Sequence, residues 1–278
     1  MPLILVTNDD GITATGIEEL VAIAREFGEV VVVAPDSPQS AQGHAITIAH
    51  PLFVRESDVF GPEVEAYECS GTPVDCVKLA KSVLLDGRTP DLCLSGINHG
   101  SNAAINIIYS GTLSAAMEAS LEGVPSVGFS YLDYRAEADF SVCRPYVRSI
   151  IRHVLERGMA AGSLYNVNIP KLPAGEIRGI RVCRQAEARW VEEYQQGQDP
   201  RGRPYYWLTG RFVNEDPRED TDANALQAGY VSLVPSHHDL TNYAALEQLQ
   251  GEVDRLQIDG QPRTAVQSGT DNQQLEQF

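Results

Sequence analysis

Hydrophobic positions fall in short unbroken runs that alternate with helical stripes. Leu3-Ile4-Leu5-Val6 opens the chain as four apolar residues in a row, the pattern of a strand buried on both faces of a parallel sheet. Ile17, Leu20, Val21, Ala24 and Phe27 then recur at helical spacing, and Gly28 marks the expected end of that helix. Val30 to Ala34 reads as a second buried strand, closed by Pro35-Asp36. Leu52-Phe53-Val54 and Val64 to Tyr67 predict a small side hairpin. Thr72-Pro73 predicts a helix start, with Thr72 as the N-cap and Pro73 in the first turn. Further strands are expected over 91–95, 125–130 and 165–170, and helices over 113–121 and 142–155. Alternation of this kind over about 170 residues predicts an α/β fold with a doubly wound, mostly parallel sheet.

Beyond residue 175 the pattern changes. Residues 178–209 read as extended segments around a turn-rich centre, Gln198-Asp199-Pro200-Arg201-Gly202-Arg203-Pro204. Trp190, Tyr194, Tyr205, Tyr206 and Trp207 flank that centre. A projecting hairpin with so much aromatic surface is expected to meet another copy of the chain, the alternative being a hairpin folded back over the chain's own core. A late strand is expected at Tyr230 to Val234 and a short helix at Asn242 to Leu249, with Val253 to Ile258 pairing elsewhere. The resulting division is a catalytic core over 1–175, a hairpin region over 176–230, a C-terminal segment over 231–258 and a disordered tail over 259–278.

Composition narrows the choices. The chain has 278 residues and a formal net charge of −17, from 21 basic and 38 acidic side chains. That balance repels nucleic-acid polymers and anionic membranes, while leaving room for a small phosphorylated substrate if positive potential is supplied locally. No apolar run is long enough to span a membrane, and no export signal is expected at the start. The scattered cysteines, with no C-x-x-C among them, suit a reduced cytoplasmic protein.

The candidate chemistry gathers at strand ends. Asp9 and Asp10 follow the first strand directly and should sit on the turn into the first helix, at the edge where parallel sheets open their ligand crevice. Two adjacent acids there are either a solvated, helix-capping turn or half of a cation site. The loop over 37–50 is too long for a tight turn, and Asn98 lies in a second polar loop, 96–102, after a third strand. Two carboxylates, an amide and a hydroxyl would form an all-oxygen site suited to Mg²⁺ or Mn²⁺. Ser110-Gly111-Thr112 at a helix start adds hydroxyls and free N–H groups, a cradle for an anion. The chain contains no phosphate-binding G-x-x-x-x-G-K-[ST], no strand-linked G-x-G-x-x-G and no Gly-x-Ser-x-Gly elbow.

Taken together, several segments resemble the SurE family of stationary-phase survival proteins. They are Val6-Thr7-Asn8-Asp9-Asp10-Gly11; Ala34-Pro35-Asp36 with Ser40 and Thr47; Gly71-Thr72-Pro73 with Asp75-Cys76-Val77; Leu94-Ser95-Gly96-Ile97-Asn98 with Gly100 and Asn102; and Tyr109-Ser110-Gly111-Thr112-Leu113-Ser114-Ala115-Ala116 with Glu118 and Ala119. The resemblance runs over roughly residues 3–250. It implies a Rossmann-like domain with an oligomerising hairpin, containing Arg201 to Trp207, and a swapped C-terminal segment. It also implies a metal-dependent nucleotidase acting on nucleoside 5′- and 3′-monophosphates, often with exopolyphosphatase activity. By the same resemblance Asp9, Asp10, Ser40 and Asn98 are the ligands of one divalent cation per subunit, Asp9 and Asp10 are catalytic, and Asn98, Asn102, Ser110, Gly111 and Thr112 line the phosphate site. The implied assembly is a homodimer or homotetramer. Late in the chain Val234-Pro235-Ser236 departs from the Thr-Pro-Leu of many members, whereas Asp239-Leu240-Thr241 fits.

Two other functions fit parts of the pattern. An aspartate-nucleophile phosphatase needs Asp-x-Asp, and here the acids are adjacent. A nucleotide- or metal-sensing assembly protein would use the aromatic hairpin without hydrolysis. His44, His99, His153, His237 and His238 match no zinc spacing and are read as surface or structural residues.

Overall fold

The computed structural model describes residues 1–252 and divides the chain into two units, 1–238 and 239–278. The expected pairing of 253–258 and the expected tail over 259–278 lie outside the described residues. In chain order the first unit contains β1 (Leu3–Thr7), α1 (Thr15–Ala24), β2 (Glu29–Pro35), β3 (Val54–Glu56), β4 (Glu65–Cys69), α2 (Pro73–Leu79), β5 (Leu92–His99), α3 (Gly111–Leu121), β6 (Ser126–Tyr131), α4 (Arg144–Arg157), β7 (Ser163–Ile169), β8 (Ile180–Val182), β9 (Ala188–Gln198), β10 (Pro204–Asn214), α5 (Asp222–Gln227) and β11 (Val231–His237). The second unit contributes α6 (Tyr243–Glu252).

Nine strands form one sheet in the order β3-β4-β2-β1-β5-β6-β7-β11-β8, and β9 and β10 form a separate two-stranded ribbon. The pairs from β4 through β7 are parallel, while β3 and β11 run antiparallel to β4 and β7. The chain leaves β1 toward β2 on one side and returns to β5 on the other. The switch in strand order therefore falls at β1, and a ligand crevice is expected outside its carboxyl end.

Alternation along the strands feeds two apolar layers. Ile4, Val6, Val30, Val32, Leu92 and Leu94 pack in one cluster with Ile17 and Leu20 of α1 and Val147 and Ile151 of α4. Leu3, Leu5, Val31, Val33 and Cys93 pack in a second with Cys76 and Val77 of α2 and Ala115 and Ala119 of α3. Parallel strands buried on both faces read as continuous apolar runs for this reason. The same burial holds β1 rigid up to the two carboxylates that follow it.

Several local expectations change. α1 ends at Ala24, with Arg25 as its C-cap, so Gly28 does not terminate the helix. A Cβ at Gly28 would lie 2.2 Å from the carbonyl oxygen of Pro2, and the close approach of the chain start is what requires glycine there. β3 and β4 do form an antiparallel pair, but β4 also adds in parallel to β2, making the pair the edge of the main sheet rather than a side hairpin. The third strand runs on past Ser95 to His99, so Asn98 stands in β5 rather than in a loop. α5 falls within residues expected to be hairpin region only. At α2 the expected cap is present: Thr72 accepts from the Asp75 amide, and Asp75 accepts from the Thr72 amide. Such a reciprocal cap stabilises a helix start by about 1 kcal/mol.

Candidate active site

The end of β1 is shaped by hydrogen bonds inside its turn. Asn8 is buried and donates its side-chain amide to Gly11 O at 2.8 Å. Asp9 is 5 % exposed and Asp10 partly exposed, and both line a cavity of about 690 Å³. Ser40, Asn98, Asn102 and Ser110 line the same cavity. Residues spread over a hundred positions of sequence thus converge at the switch point of the sheet.

Each arrives by a separate device. The loop carrying Ser40 is held by Gln39 N–H donating to Asp9 O at 2.8 Å and by Gly43 N–H donating to Tyr109 O at 3.1 Å. Further along the loop, Thr47 donates to the Asp75 carboxylate from both its amide and its hydroxyl, at 3.0 and 2.6 Å. Asn98 is carried by a bulge, because the pairing of β5 with β6 shifts register between Ser95 and Asn98. Gly96, at φ +122°, allows that shift, and a Cβ there would lie 2.4 Å from Phe129 O. The amide nitrogen of Asn98 donates to Gly100 O at 3.0 Å, which leaves its Oδ1 as the group available to a ligand.

Asn102 is fixed by a buried polar network beneath the cavity. Its backbone N–H donates to Asn168 Oδ1 at 2.8 Å and its side-chain amide to Ser130 Oγ at 2.9 Å. Asn166 donates to Asn102 O at 2.9 Å, and Asn168 donates to Asn166 Oδ1 at 2.8 Å. Ser130, Asn166 and Asn168 were not singled out from the sequence. Tyr-Asn-Val-Asn-Ile alternates like a half-solvated strand, and only tertiary burial shows that its polar face is internal.

Ser110 caps α3, accepting from the Leu113 amide at 3.1 Å. Gly111 and Thr112 are buried behind Asp9 and do not reach the cavity wall. The Thr112 hydroxyl donates to Asp9 Oδ1, and a Cβ at Gly111 would lie 2.7 Å from the Asp9 Cβ. The start of α3 therefore supports the carboxylate directly.

The electrostatics of the pair are unfavourable for two bare carboxylates. Burial, and then the neighbouring Asp10 charge, push the Asp9 carboxyl up to about 6, against the opposing hydrogen bonds from Thr112. Burial also raises Asp10, opposed by the His99 N–H, which donates to it at 3.3 Å. Among the described residues no Lys or Arg side chain forms an ion pair with either carboxyl, and Arg189, which lines the same cavity, pairs with neither. Among the described residues no three His, Cys, Asp or Glu side chains gather to hold a metal ion. A cation at this position would rest on two carboxylates and the neutral oxygens of Ser40 and Asn98. That donor set is hard and all-oxygen, and it fits Mg²⁺ or Mn²⁺ better than a soft metal.

The remaining wall comes from the ribbon. Arg189, Trp190 and Glu192 of β9 and Leu208, Thr209 and Gly210 of β10 line the cavity, so this end of the ribbon lies over the chain's own core, in keeping with the alternative reading of the hairpin.

Residues 4–192 match the family model described as Survival protein SurE. The chain belongs to the SurE family. A relative named 5′-nucleotidase SurE from Christiangramia forsetii is 56% identical over 249 residues, which cover 89% of this chain and 95% of that one. The protein of the same name from Bacteroides thetaiotaomicron is 44% identical, covering 92% of this chain and 98% of its own. The crystal structure of the SurE protein from Aquifex aeolicus superposes with a TM-score of 0.79 at 40% identity, covering 91% of this chain and all of that one. SurE membership agrees with the α/β architecture, the mostly parallel sheet and the separate ribbon seen here.

Proposed function

We propose that this chain is a divalent-cation-dependent 5′-nucleotidase that hydrolyses nucleoside monophosphates to nucleoside and inorganic phosphate. The observation that carries the reading is Asp9, a carboxylate buried beside a second one, with no cationic side chain among the described residues to neutralise it, in the lining of a cavity large enough for a nucleotide. The names of the relatives supply the reaction class.

Asp9, Asp10, Ser40 and Asn98 would hold the cation. When bound, it supplies charge neutralisation at the phosphoryl oxygens and lowers the pKa of a water. The protein's part is positioning. Thr112 fixes one oxygen of Asp9, leaving the other to orient the attacking water. Asn102, held by Asn168 and Ser130, and Ser110, at the start of α3, face the cavity where the phosphate oxygens would lie. Water adds to phosphorus and the phosphorus–ester oxygen bond breaks; the departing oxygen leaves with a proton as the nucleoside hydroxyl. Donors already in place for the charge that redistributes need no reorganisation during the reaction.

The same site would accept 3′-monophosphates and the end of a polyphosphate, whose terminal groups present the same oxygens. The ribbon, which exposes Tyr194, Tyr206 and Trp207, would join copies of the chain into a homodimer or homotetramer. The C-terminal segment over 231–258, of which 253–258 lie outside the described residues, would be exchanged between copies in that assembly. A cytoplasmic setting agrees with five free, buried cysteines.

Phosphate release from AMP or GMP with Mg²⁺ or Mn²⁺, measured with and without EDTA, tests the reading. Release that EDTA abolishes, and that Asp10→Ala lacks while keeping its assembly, is the expected result. Release unaffected by EDTA, or full activity in Asp10→Ala, would remove the cation site. Solvent ¹⁸O appearing in an aspartate carboxylate in a single turnover would instead indicate a covalent aspartyl-phosphate.

A further inference from the structure

The cavity lining is chemically mixed. Asp9, Asp10, Asn98 and Ser110 bring polar groups to it; Trp190, Leu208 and Tyr109 bring apolar and aromatic surface. Trp190 is held at its edges. Its indole N–H donates to Asn106 Oδ1 at 2.8 Å, and the Asn106 amide is oriented in turn by donating to Ser101 O at 3.2 Å. Phe212, its register partner across the ribbon, packs against it edge-on, with ring centroids 5.8 Å apart and planes at 67°. Even so, 41% of the Trp190 surface remains exposed.

Strand register explains how the ribbon reaches the site. Trp190 and Glu192 lie on one face of β9, opposite Phe212 and Gly210, while Tyr205 and Trp207 alternate onto the other face of β10. The face carrying Trp190 is the one that contributes most of the ribbon's lining residues. An indole anchored through its ring nitrogen, with surface left open in a phosphate-binding cavity, suits stacking against a flat aromatic ligand. Every nucleobase offers such a face, and stacking of this kind tolerates purines and pyrimidines alike.

We infer that Trp190 is the nucleobase platform of this site. It selects nucleotides over phosphomonoesters that lack a base. This rests on the nucleotidase reading above and adds the residue that recognises the base. Anchoring through Asn106 connects the platform to the segment that also carries Asn98 and Asn102, so base and phosphate are gripped from one framework.

The test compares AMP with ribose 5-phosphate, which has the same phosphate and sugar without a base, in wild type, Trp190→Ala and Trp190→Phe. Stacking predicts that the ratio of kcat/KM for AMP over ribose 5-phosphate falls roughly tenfold to hundredfold in Trp190→Ala, mainly through KM for AMP. Trp190→Phe should keep most of the ratio. In a Trp207→Phe background, where Trp190 is the only tryptophan, AMP should quench the indole fluorescence and ribose 5-phosphate should not. An unchanged ratio, an equal fall for both substrates, or a wild type indifferent to the base would overturn the platform while leaving the nucleotidase standing. A folded wild type that hydrolyses neither substrate with any cation would overturn the nucleotidase reading itself.

Discussion

Thr112 donates its hydroxyl to Oδ1 of Asp9, joining the start of α3 to the end of β1 across 103 residues of sequence. Both side chains are buried, and Gly111 beside them leaves no room for a Cβ. The helix start that sequence alone presents as an anion cradle is committed to an anion of the protein's own. Ser110, Asn98 and Asn102, by contrast, line the cavity.

Replacing Thr112 by Val keeps the shape and removes the donor. A hydrogen bond to a charged group contributes about 1.5–3 kcal/mol. Losing it should lower kcat/KM for AMP by roughly tenfold to hundredfold, whereas Thr112→Ser should stay close to wild type. Steady-state rates at saturating Mg²⁺ would check this. Equal activity in the Val and Ser variants would show that the hydroxyl does not matter to catalysis.

Asp9 also makes stability depend on pH in the cation-free protein. Its carboxyl is raised from the ordinary 3.8 to about 6 by burial and by Asp10. The folded state therefore holds this proton more tightly than the unfolded chain. Its contribution is fully present below about pH 4 and is lost as pH rises through about 6, a swing of up to ~3 kcal/mol. In EDTA at pH 7, Asp9→Asn should be more stable than wild type. Mn²⁺ should raise the melting temperature of wild type and not that of the variant. Urea melts at pH 4.5 and 7 distinguish this from a general effect of acid, since the wild-type deficit should appear only at the higher pH.

Glu118 ties the Ser40 loop to the core. Its buried carboxylate accepts from Lys78 Nζ at 2.5 Å and pairs with His44 Nε2 at 2.8 Å. Burial works against its charge, but these two partners outweigh it and lower the carboxyl pKa. Glu118→Gln should loosen the loop without touching the ligand set. The expected effect is about 1 kcal/mol in cation affinity, roughly a fivefold rise in the Mg²⁺ concentration for half-maximal rate, with the plateau rate nearly unchanged. Activity titrated with metal separates the two quantities. A lower plateau at unchanged affinity would show that the loop does not act through the cation.

The sequence is legible where one kind of local order decides the outcome. Leu3 to Val6 and Val30 to Ala34 announce buried parallel strands because both of their faces are apolar. Thr72-Pro73 announces a helix start because the cap and the first helical residue are adjacent in the sequence. Asn98 is harder. Glycines around it suggest a loop, but pairing with β6 continues past the bulge at Gly96 and keeps it in the strand. Asn166 and Asn168 are hidden for a related reason, since their partners are Asn102 and Ser130, far away in sequence. The ribbon's aromatic residues are conspicuous, yet which face meets the cavity depends on the register of Trp190 with Phe212. No composition rule supplies that register.

That register also separates the two ends of the ribbon. Near the turn, Tyr206 and Trp207 are adjacent and so face opposite sides of the ribbon, and they are 61% and 67% exposed. A two-stranded ribbon is at best marginally stable alone, and surface this apolar is seldom left to water. Covered by a second copy, the two rings would hold the assembly together from both faces, while Trp190 at the other end of the ribbon stays with its own cavity. Tyr206→Ser combined with Trp207→Ser should therefore lower the molar mass measured by light scattering after size exclusion toward that of a single chain. Because Asp9, Asp10, Ser40 and Asn98, the proposed cation ligands, all come from one chain, the variant should still bind Mn²⁺. An unchanged molar mass would move the contact elsewhere, and loss of both assembly and Mn²⁺ binding in a folded variant would show that the site depends on the neighbouring copy.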